Sequence, residues 1–491
     1  MISGLTFLGG LIRTGTLVVN DENGRSHRFG DGTAPHVRIQ IHDPAMLRRM
    51  AVNPSMALGE GYMNGQFDII DGDVRALLDL GVKNYARQSA HAHHWPVWAT
   101  RLINFFYQHN PRNRARRNVA HHYDLSDDLF DLFLDSDRQY SCAYFLNPDD
   151  DLETAQWNKK LHLAAKLNLK PGQRVLDIGS GWGGLGLFLA GLVDDLQVDG
   201  VTLSREQHAV SNRRAEEAGV ADRVRYHLKD YREVEEQYDR IVSVGMLEHV
   251  GPRHYDEFYG QVNRLLNAEG IAVVHSVGVF NRPEPQNQWM EKYIFPGAYT
   301  PSLRQQFTAI EQTRLYTTDV EILRQHYAET LNRWRLACAA QKDRIVAMYD
   351  ERFYRMWEFY LTACETAFRH GSLMVFQIQL AKNRSNIDQL RGRLGEGLIK
   401  LHDAQDQVAE MQVTLAEESI VVETKKKETD ELLERVGQES IVAEEQVTNP
   451  NPDPDPDPDP GPNPSISPQP GPNPDASINP SPNPSPSLAL A

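Results

Sequence analysis

An apolar run that begins at Arg174 ends in Asp177 and then opens into a glycine-rich turn over residues 179–184, Gly-Ser-Gly-Trp-Gly-Gly. Glycines let the backbone turn sharply and approach a ligand without interference from a Cβ atom. Doubly wound sheets bind their ligands at the carboxyl ends of the strands, where such a turn lies. With Trp182 inside it, the turn has neither the dinucleotide spacing nor the Lys-Ser/Thr of a phosphate loop. The residues therefore predict a site for a nucleoside without a pyrophosphate.

The turn resembles the first motif of S-adenosylmethionine (SAM) methyltransferases, whose cofactor has a sulfonium cation and no phosphate. This resemblance implies that Asp177 orients the loop or the methionine ammonium, because an acid is attracted to positive charge. The alternative is a tight strand-to-helix turn that binds nothing. The strands that follow in the sequence favour the cofactor site.

Four more apolar runs alternate with helical stretches after the glycine turn. They cover residues 197–203, 223–230, 238–244 and 270–277. Short apolar runs in this alternation predict a parallel sheet and an α/β Rossmann-like fold. The second run ends in Thr202, where a ribose-binding acid is common. Cofactor selection is therefore expected to depend on Gln207, Asp230 and Tyr231.

Composition limits the class of protein. At 491 residues and 40% hydrophobic content, the chain is too long for one ordinary domain and can bury a sizeable core. Three cysteines form no disulfide framework and suit a reducing compartment. Residues 1–13 show no charged leader or cleavage site, and no run reaches membrane-spanning length. We expect a soluble, cytoplasmic protein.

The net charge of −16 is concentrated at the carboxyl end, where residues 386–491 carry 20 acidic and 7 basic side chains. Apolar residues at three- and four-residue steps predict an acidic helix with a weak coiled-coil seam over 386–447. Residues 448–491 are Asn-Pro and Asp-Pro repeats, which predict a disordered tail because they cannot form a core. We assign this extension no catalytic role.

Residues 1–105 are predicted to form a separate small α+β domain, with strands over 17–24 and 37–42 and an Asn-Gly turn after the first. An aromatic and aliphatic segment, 93–107, is followed by Arg112, Arg114, Arg116 and Arg117. Apolar bulk beside cations favours a membrane surface. A core helix with a solvated basic linker is an equal alternative. Nucleic acid is disfavoured because no nucleic-acid-binding motif is present.

Several further motifs closely resemble the cyclopropane-fatty-acyl-phospholipid synthase family, which includes the mycolic acid cyclopropane synthases. The first is the stretch at 121–135. The others are YSCAYF at 140–145, DIGSGWG at 177–183, GVTLSREQ at 200–207, EHVG at 248–251, HSVG at 275–278, YIFPG at 293–297 and FYLTAC at 359–364. The resemblance runs from about residue 13 to about residue 382. It implies a SAM-dependent methyltransferase domain over residues 106–385, with the carboxyl-terminal extension outside it.

The resemblance implies a SAM site and no metal. The residues that carry over as cofactor contacts are Tyr140, Ser141, Asp177, Gly179, Ser180, Gly181, Gly183, Thr202, Leu203, Ser204, Gln207, Asp230 and Tyr231.

The family's reaction implies a second set of residues. An alkene in a lipid acyl chain attacks the SAM methyl group, and the resulting carbocation loses a proton to close a cyclopropane ring or is otherwise resolved. The base is thought to be a bound bicarbonate. The residues implied to hold it are Cys142 through its main chain, Glu248, His275 and Tyr327, with Val277 at a position where the family has Ile. Imidazole, phenol and backbone N–H groups can donate to an anion, so Glu248 must be protonated or balanced by His275.

Cys364 matches a cysteine that has been assigned as a nucleophile in the family. Methyl transfer to an alkene needs no covalent enzyme intermediate. The helical apolar pattern over 359–368 indicates instead that Cys364 is a small buried hydrophobe.

The resemblance implies a peripheral membrane enzyme that makes cyclopropane fatty acids on unsaturated phospholipids, with the amino-terminal domain docked on the bilayer. Three alternatives stay open: a methyl-branched product, a soluble small-molecule substrate, and a non-catalytic lipid-binding scaffold. A homodimer also stays open.

Overall fold

The computed structural model describes residues 4–89, 126–283, 286–383, 424–427 and 429. The chain forms two compact units, residues 1–403 and 404–491, and both sheets lie in the first. Three predicted features lie outside the described residues: the aromatic and arginine-rich segment 93–117, most of the acidic helix, and the proline-rich tail. In the second unit, residues 424–427 are helical.

A four-stranded sheet with the strand order β2-β1-β3-β4 forms the amino-terminal part. Its strands are β1 (Thr16–Asn20), β2 (Ser26–Gly30), β3 (His36–Ile41) and β4 (Phe67–Asp71). Strands β1 and β2 pair antiparallel across the predicted Asn-Gly turn, where Gly24 adopts a φ of +77°. Both predicted strands are therefore present, whereas β2 and β4 were not predicted.

Four helices complete this α+β part. They are α1 (Gly4–Leu11), α2 (Ala45–Val52), α3 (Pro54–Met63) and α4 (Val74–Ser89). Pro54 begins α3, and the side chain of Asn53 accepts from the Met56 N–H, which satisfies a donor at the helix end. Alternate residues of β1 and β3, such as Val19 and Ile39, are buried against these helices.

A seven-stranded sheet forms the second part, with the order β10-β11-β9-β8-β5-β6-β7. Its strands are β5 (Arg174–Ile178), β6 (Gln197–Thr202), β7 (Val224–Leu228), β8 (Tyr238–Val244), β9 (Leu266–Val279), β10 (Tyr316–Ile322) and β11 (Leu373–Ala381). The five predicted strands, β5 to β9, are confirmed as parallel neighbours. Strand β11, which was not predicted, runs antiparallel between β9 and β10.

Helices cover both faces of this sheet. They are α5 (Asp127–Phe130), α6 (Leu152–Leu167), α7 (Gly184–Leu192), α8 (Arg205–Glu217), α9 (Tyr255–Leu265), α10 (Gln288–Tyr293), α11 (Leu303–Glu311), α12 (Arg324–Ala340), α13 (Lys342–Met348) and α14 (Glu351–His370). Side chains alternate along β5, so Leu176 packs with α9 while Val175 packs with α6 and α7. Asp177 therefore belongs to the α6 face of the sheet.

Helices α12 and α14 pack against each other and connect the two parts of the first unit, because α14 also packs on α3 and α4. Their shared core is aromatic and includes Trp289, Trp334 and Trp357. The Tyr62 hydroxyl on α3 donates to Glu358 on α14 at 2.6 Å. None of the helices in the described ranges is long and apolar enough to cross a membrane.

Candidate active site

The glycine turn follows β5 directly, and its glycines have different roles. Gly179, Gly181 and Gly183 adopt φ values of +86°, +54° and +84°, which residues with a side chain rarely tolerate. A Cβ on Gly181 would meet open space. A Cβ on Gly183 would lie 2.8 Å from the Tyr226 ring, whose hydroxyl donates to the Gly183 carbonyl. Gly181 therefore faces the ligand side, and Gly183 is required for packing.

The amino terminus of α7, which would be the natural place for a phosphate, is covered by Asp137. A Cβ on Gly184 would lie 2.5 Å from the Asp137 carboxylate. That carboxylate is held by the Arg214 guanidinium and by Lys160 Nζ at 2.5 Å. An anion already complements the positive end of the helix dipole. This arrangement agrees with the expectation of a phosphate-free ligand.

Trp182 anchors the turn rather than entering the ligand site. Its ring lies 5.0 Å from Phe130, and its indole N–H donates to Asp127 at 3.1 Å. The side chain is buried. The bulky residue inside the loop thus fixes the turn on α5.

A cleft opens at the carboxyl ends of β5, β6, β7 and β8, where a Rossmann-like sheet binds nucleosides. Seven of the predicted cofactor residues line it, namely Gly179, Gly181, Thr202, Leu203, Gln207, Asp230 and Tyr231. Residues that were not predicted also line it, among them Lys229, Arg232, Gly245, Met246, His249 and His254. The mixture of apolar walls, glycines and a few polar groups fits an adenosyl group, so SAM fits the residues present.

Two polar pairs set the chemistry of this cleft. The Thr202 hydroxyl donates to Gln207 Oε1 at 3.0 Å. Asp230 accepts from Arg232 through both carboxylate oxygens, at 2.9 and 2.7 Å. A bidentate pair of this kind fixes the orientation of a carboxylate at the edge of the site.

The other predicted cofactor residues lie behind or beside the cleft. Ser204 caps α8 by accepting from the Gln207 N–H at 3.2 Å. Ser180 is buried, and its hydroxyl has no partner among the described residues. Tyr140 and Ser141 belong to a loop between α5 and α6, where the Tyr140 hydroxyl lies 2.8 Å from that of Tyr360. The structure therefore gives Ser204 and Gly183 supporting rather than lining positions.

Glu248 follows β8 and contacts β9. Its Oε1 accepts from the Val277 N–H at 2.6 Å, and its Oε2 is buried with no partner in the described part of the chain. Burial raises the pKa of Glu248, and the bond from Val277 only partly opposes this. Hydrogen bonds from the Glu248 backbone and the Ser276 side chain also oppose the rise, so burial is the one cause that shifts this carboxyl toward its protonated form.

His275 lies on β9 with 3% of its surface exposed. Burial, aided by the positive charge of Lys159, lowers its pKa to about 3, so the imidazole is neutral. Its Nδ1 lies 3.2 Å from the Gln377 amide nitrogen on β11. A neutral imidazole cannot balance the charge of an anion beside Glu248, and burial raises the pKa of Glu248 itself.

Tyr327 lies on α12 with its ring 4.8 Å from Phe368 and 6.0 Å from Trp334. Burial raises its pKa, and the ionisable groups of Tyr140, Cys364, Cys142 and Glu248 add to the rise. The structure therefore brings Tyr327 within electrostatic reach of the other predicted residues.

The two predicted cysteines are both protonated. Burial raises the pKa of the Cys142 thiol, whose Sγ donates to the Ala143 carbonyl at 3.3 Å. Burial also raises the pKa of the Cys364 thiol to about 12. A thiolate is the nucleophilic form, so neither environment prepares a nucleophile. Within the described ranges, no group of side chains could hold a metal ion.

The principal residue that the sequence argument missed is Lys159 of α6, which is fully buried and lies close enough to act on Asp177. A lysine beside a second lysine in an amphipathic helix looks like a solvated pair. Only the packing of the loop at Gln139 to Ser141 over α6 encloses it.

Comparison with known proteins agrees with this geometry. A family model described as mycolic acid cyclopropane synthetase matches residues 110–378, and a domain of unknown function matches residues 13–92. The cyclopropane-fatty-acyl-phospholipid synthase of Escherichia coli K12 is 37% identical over 72% of this chain and 90% of its own. The tuberculostearic acid methyltransferase of Mycobacterium tuberculosis is 34% identical over 72% and 87%.

Among solved structures, the mycolic acid cyclopropane synthase CmaA1 in complex with SAH and CTAB is 34% identical. It covers 56% of this chain and 99% of its own, with a TM-score of 0.52. The family model spans the glycine turn and every residue of the candidate site. The chain belongs to the mycolic acid cyclopropane synthetase family of SAM-dependent methyltransferases.

Proposed function

We propose that this protein is a cyclopropane-fatty-acyl-phospholipid synthase, which transfers one carbon from SAM to the double bond of unsaturated acyl chains in membrane phospholipids. The observation that carries the proposal is the presence, in one domain, of a phosphate-free nucleoside cleft and of three groups, Glu248, His275 and Tyr327, that burial shifts toward their neutral forms. The similarity to the Escherichia coli enzyme supports the same substrate class.

An isolated alkene is a weak nucleophile, so the protein must supply orientation and a dry site. SAM supplies an electrophilic methyl group when it is bound. Tyr327 packs against the aromatic core of α12 and α14, and this apolar core would keep water away from the reacting region. These residues would therefore contribute positioning and desolvation, and not a covalent bond.

A partly open apolar wall supports an acyl-chain substrate. Tyr140, Val277, Phe295, Tyr327 and Cys364 all pack against the aromatic core, yet each keeps part of its surface accessible. Side chains that pack against a core and still have accessible surface line an internal space. Apolar walls with few polar groups are what a hydrocarbon chain requires.

The late step removes a proton from the carbon that SAM supplied, and we propose bicarbonate as its acceptor. The Cys142 main chain, Glu248, His275 and Tyr327 would hold this anion. A protonated Glu248 leaves an O–H to donate, the neutral His275 offers one N–H, and Tyr327 offers its phenol. The unpartnered, buried Glu248 Oε2 fits a missing acceptor at this position.

We also propose that the enzyme is cytoplasmic and binds the membrane peripherally through residues 1–105 and the segment 93–117. The substrate requires contact with a bilayer, and the arginines at 112–117 would meet anionic lipid. A homodimer is the proposed assembly. Flotation with anionic and neutral vesicles tests the membrane contact, and sedimentation tests the dimer.

The first alternative product is a methyl-branched chain, which the similarity to the tuberculostearic acid methyltransferase keeps open. The same attack on SAM begins both reactions, and the geometry around the cation decides its fate. A non-catalytic lipid-binding scaffold is the second alternative. It predicts no binding of SAM or its product.

The decisive assay incubates the purified protein with SAM and vesicles of one unsaturated phospholipid. We expect the acyl mass to increase by one methylene, with loss of the double bond and proton NMR signals of a cyclopropane ring. A methyl signal without a ring would identify the branched product. An unchanged acyl mass would contradict the proposal.

A further inference from the structure

Lys159 on α6 is a cation enclosed by protein. None of its surface is exposed. Its Nζ donates to Gln139 Oε1 and, at 3.1 Å, to the Ser141 hydroxyl oxygen. Among the described residues, no carboxylate lies within ion-pair distance of this ammonium. Burying a charge without an ionic partner is costly, and this cost calls for a compensating group.

Asp177 is the complementary case. It lies on the α6 face of β5, is buried, and likewise has no ion-pair partner within the described ranges. Burial raises its pKa to about 7, while the charge of Lys159 acts in the opposite direction. Burial lowers the pKa of Lys159 to about 8, and the carboxylate of Asp135 partly offsets this. A buried acid and a buried base therefore flank the glycine turn without neutralising each other.

The methionyl end of SAM carries the two charges that would complete this arrangement. Its ammonium suits Asp177, and its α-carboxylate is the one anionic group of the cofactor. Lys159 would repel both the ammonium and the sulfonium, so the carboxylate is the group that it can stabilise.

We infer that Lys159 is a positioning residue for the α-carboxylate of SAM and acts through Ser141. Because Lys159 donates to the Ser141 oxygen, the serine hydroxyl is left to donate its own proton away from α6. Ser141 keeps part of its surface accessible, whereas Lys159 keeps none. The serine touches the ligand, and the lysine supplies the charge behind it.

A second contact keeps the serine in place. Gln156, one turn before Lys159 on α6, donates its amide to the main-chain carbonyls of Gln139 and Ser141 at 3.1 and 2.9 Å. Residues 139–141 are therefore clamped from the same helix through both main chain and side chain. The clamp therefore fixes Ser141 against α6.

This inference rests on the proposed function and is tested by binding rather than by turnover. Calorimetry compares S-adenosylhomocysteine with 5′-methylthioadenosine, which keeps the adenosyl thioether but lacks the amino and carboxyl groups. We expect Lys159→Met to weaken the binding of S-adenosylhomocysteine about ten- to a hundredfold, because a charge-assisted contact is lost. Its affinity for 5′-methylthioadenosine should change less than about twofold.

Two further variants separate positioning from folding. Ser141→Ala should reproduce the selective loss, and adding Lys159→Met to it should cause little further loss, because the two residues act in series. Lys166→Met removes a lysine of the same helix that is equally enclosed but pairs with Asp319 and Glu321. It should leave the affinity ratio of the two ligands unchanged, even if stability falls.

Equal weakening of both ligands by Lys159→Met would overturn the inference, because it would mean a general structural role. Unchanged affinity for S-adenosylhomocysteine would also overturn it. Failure of the parent protein to bind either ligand would contradict the proposed function itself, and the inference with it.

Discussion

At the scale of single residues, burial shifts the ionisable groups of the candidate site toward their neutral forms. Burial raises the pKa of Glu248 and lowers that of His275 to about 3, so burial shifts both groups toward their neutral forms. Neutral donors can hold an anion without like-charge repulsion. The pKa of Cys364, raised to about 12, removes the nucleophile that a family comparison alone would suggest.

Substitutions at Glu248 test this protonation state. Glu248→Ala should lower kcat about a hundredfold or more, because it removes a donor aimed at the reacting region. Glu248→Gln keeps the shape of the side chain and an oxygen that accepts from the Val277 N–H, and its amide N–H replaces the carboxyl O–H. Its kcat should therefore fall much less. Cys364→Ser, as a control at a cysteine packed on the aromatic core, should retain most activity. Equal losses for Gln and Ala would indicate that Glu248 acts as a carboxylate.

His275 should make stability depend on pH in a defined window. Its folded pKa of about 3 lies below the ordinary value of 6.5, so between these values the unfolded chain binds a proton that the folded protein does not. Stability should therefore fall as the pH drops below about 6.5. The variant His275→Gln should flatten this slope by up to about 1.4 kcal/mol per pH unit, measured by urea unfolding at several pH values. An unchanged slope would mean that His275 titrates normally.

At the scale of secondary-structure elements, apolar runs were enough to predict β5 to β9. Strands β5 and β9 are largely buried on both faces, whereas β7, at the edge of the sheet, has exposed residues. Strand β11 was not predicted because Gln377 and Gln379 interrupt its apolar pattern. Both side chains are nevertheless buried and form hydrogen bonds on the α6 side of the sheet. Strand β10 was not predicted because it is polar and lies at the edge of the sheet.

Some residues of the candidate site can be predicted from local sequence patterns, whereas others are brought to it only by tertiary packing. Glycines and strand ends are adjacent in the sequence, so the cleft residues could be predicted from it. The approach of Tyr327 on α12 to Glu248 after β8 depends on helix packing, and the family resemblance was needed to name it. The burial of Lys159 depends on a loop that closes over α6, which no local pattern predicts.

The packing of α7 against Asp137 gives a matched pair of variants. Gly184→Ala places a Cβ 2.5 Å from the Asp137 carboxylate, whereas a Cβ at Gly191 of the same helix meets nothing within 4 Å. We expect Gly184→Ala to destabilise the protein by about 1–3 kcal/mol and to weaken the binding of S-adenosylhomocysteine. Gly191→Ala should be neutral or stabilising by up to about 1 kcal/mol. Denaturant unfolding measures both, and equal effects would contradict the assigned contact.

At the scale of the whole molecule, chemistry and charge are separated along the chain. The family match ends at residue 378, and every residue assigned to the site precedes it. The segment 386–491 carries 20 acidic and 7 basic side chains and thus most of the net charge of −16. Without it, the remainder is close to neutral.

A chain that ends after residue 403, at the boundary of the first unit, should therefore keep its activity on phospholipid vesicles within about twofold. The comparison needs equal concentrations of the two chains and vesicles of the same composition. A loss of more than about tenfold would mean that residues 404–491 take part in catalysis or in substrate delivery.

The most direct test of the central claim follows the carbon itself. SAM labelled with ¹³C in its methyl group is incubated with the protein and vesicles of one mono-unsaturated phospholipid, and the lipid is analysed by NMR. We expect the label to become a ring CH₂ bonded to both former alkene carbons, with one label gained for each double bond lost. Label found in the headgroup, or none in the lipid, would contradict it.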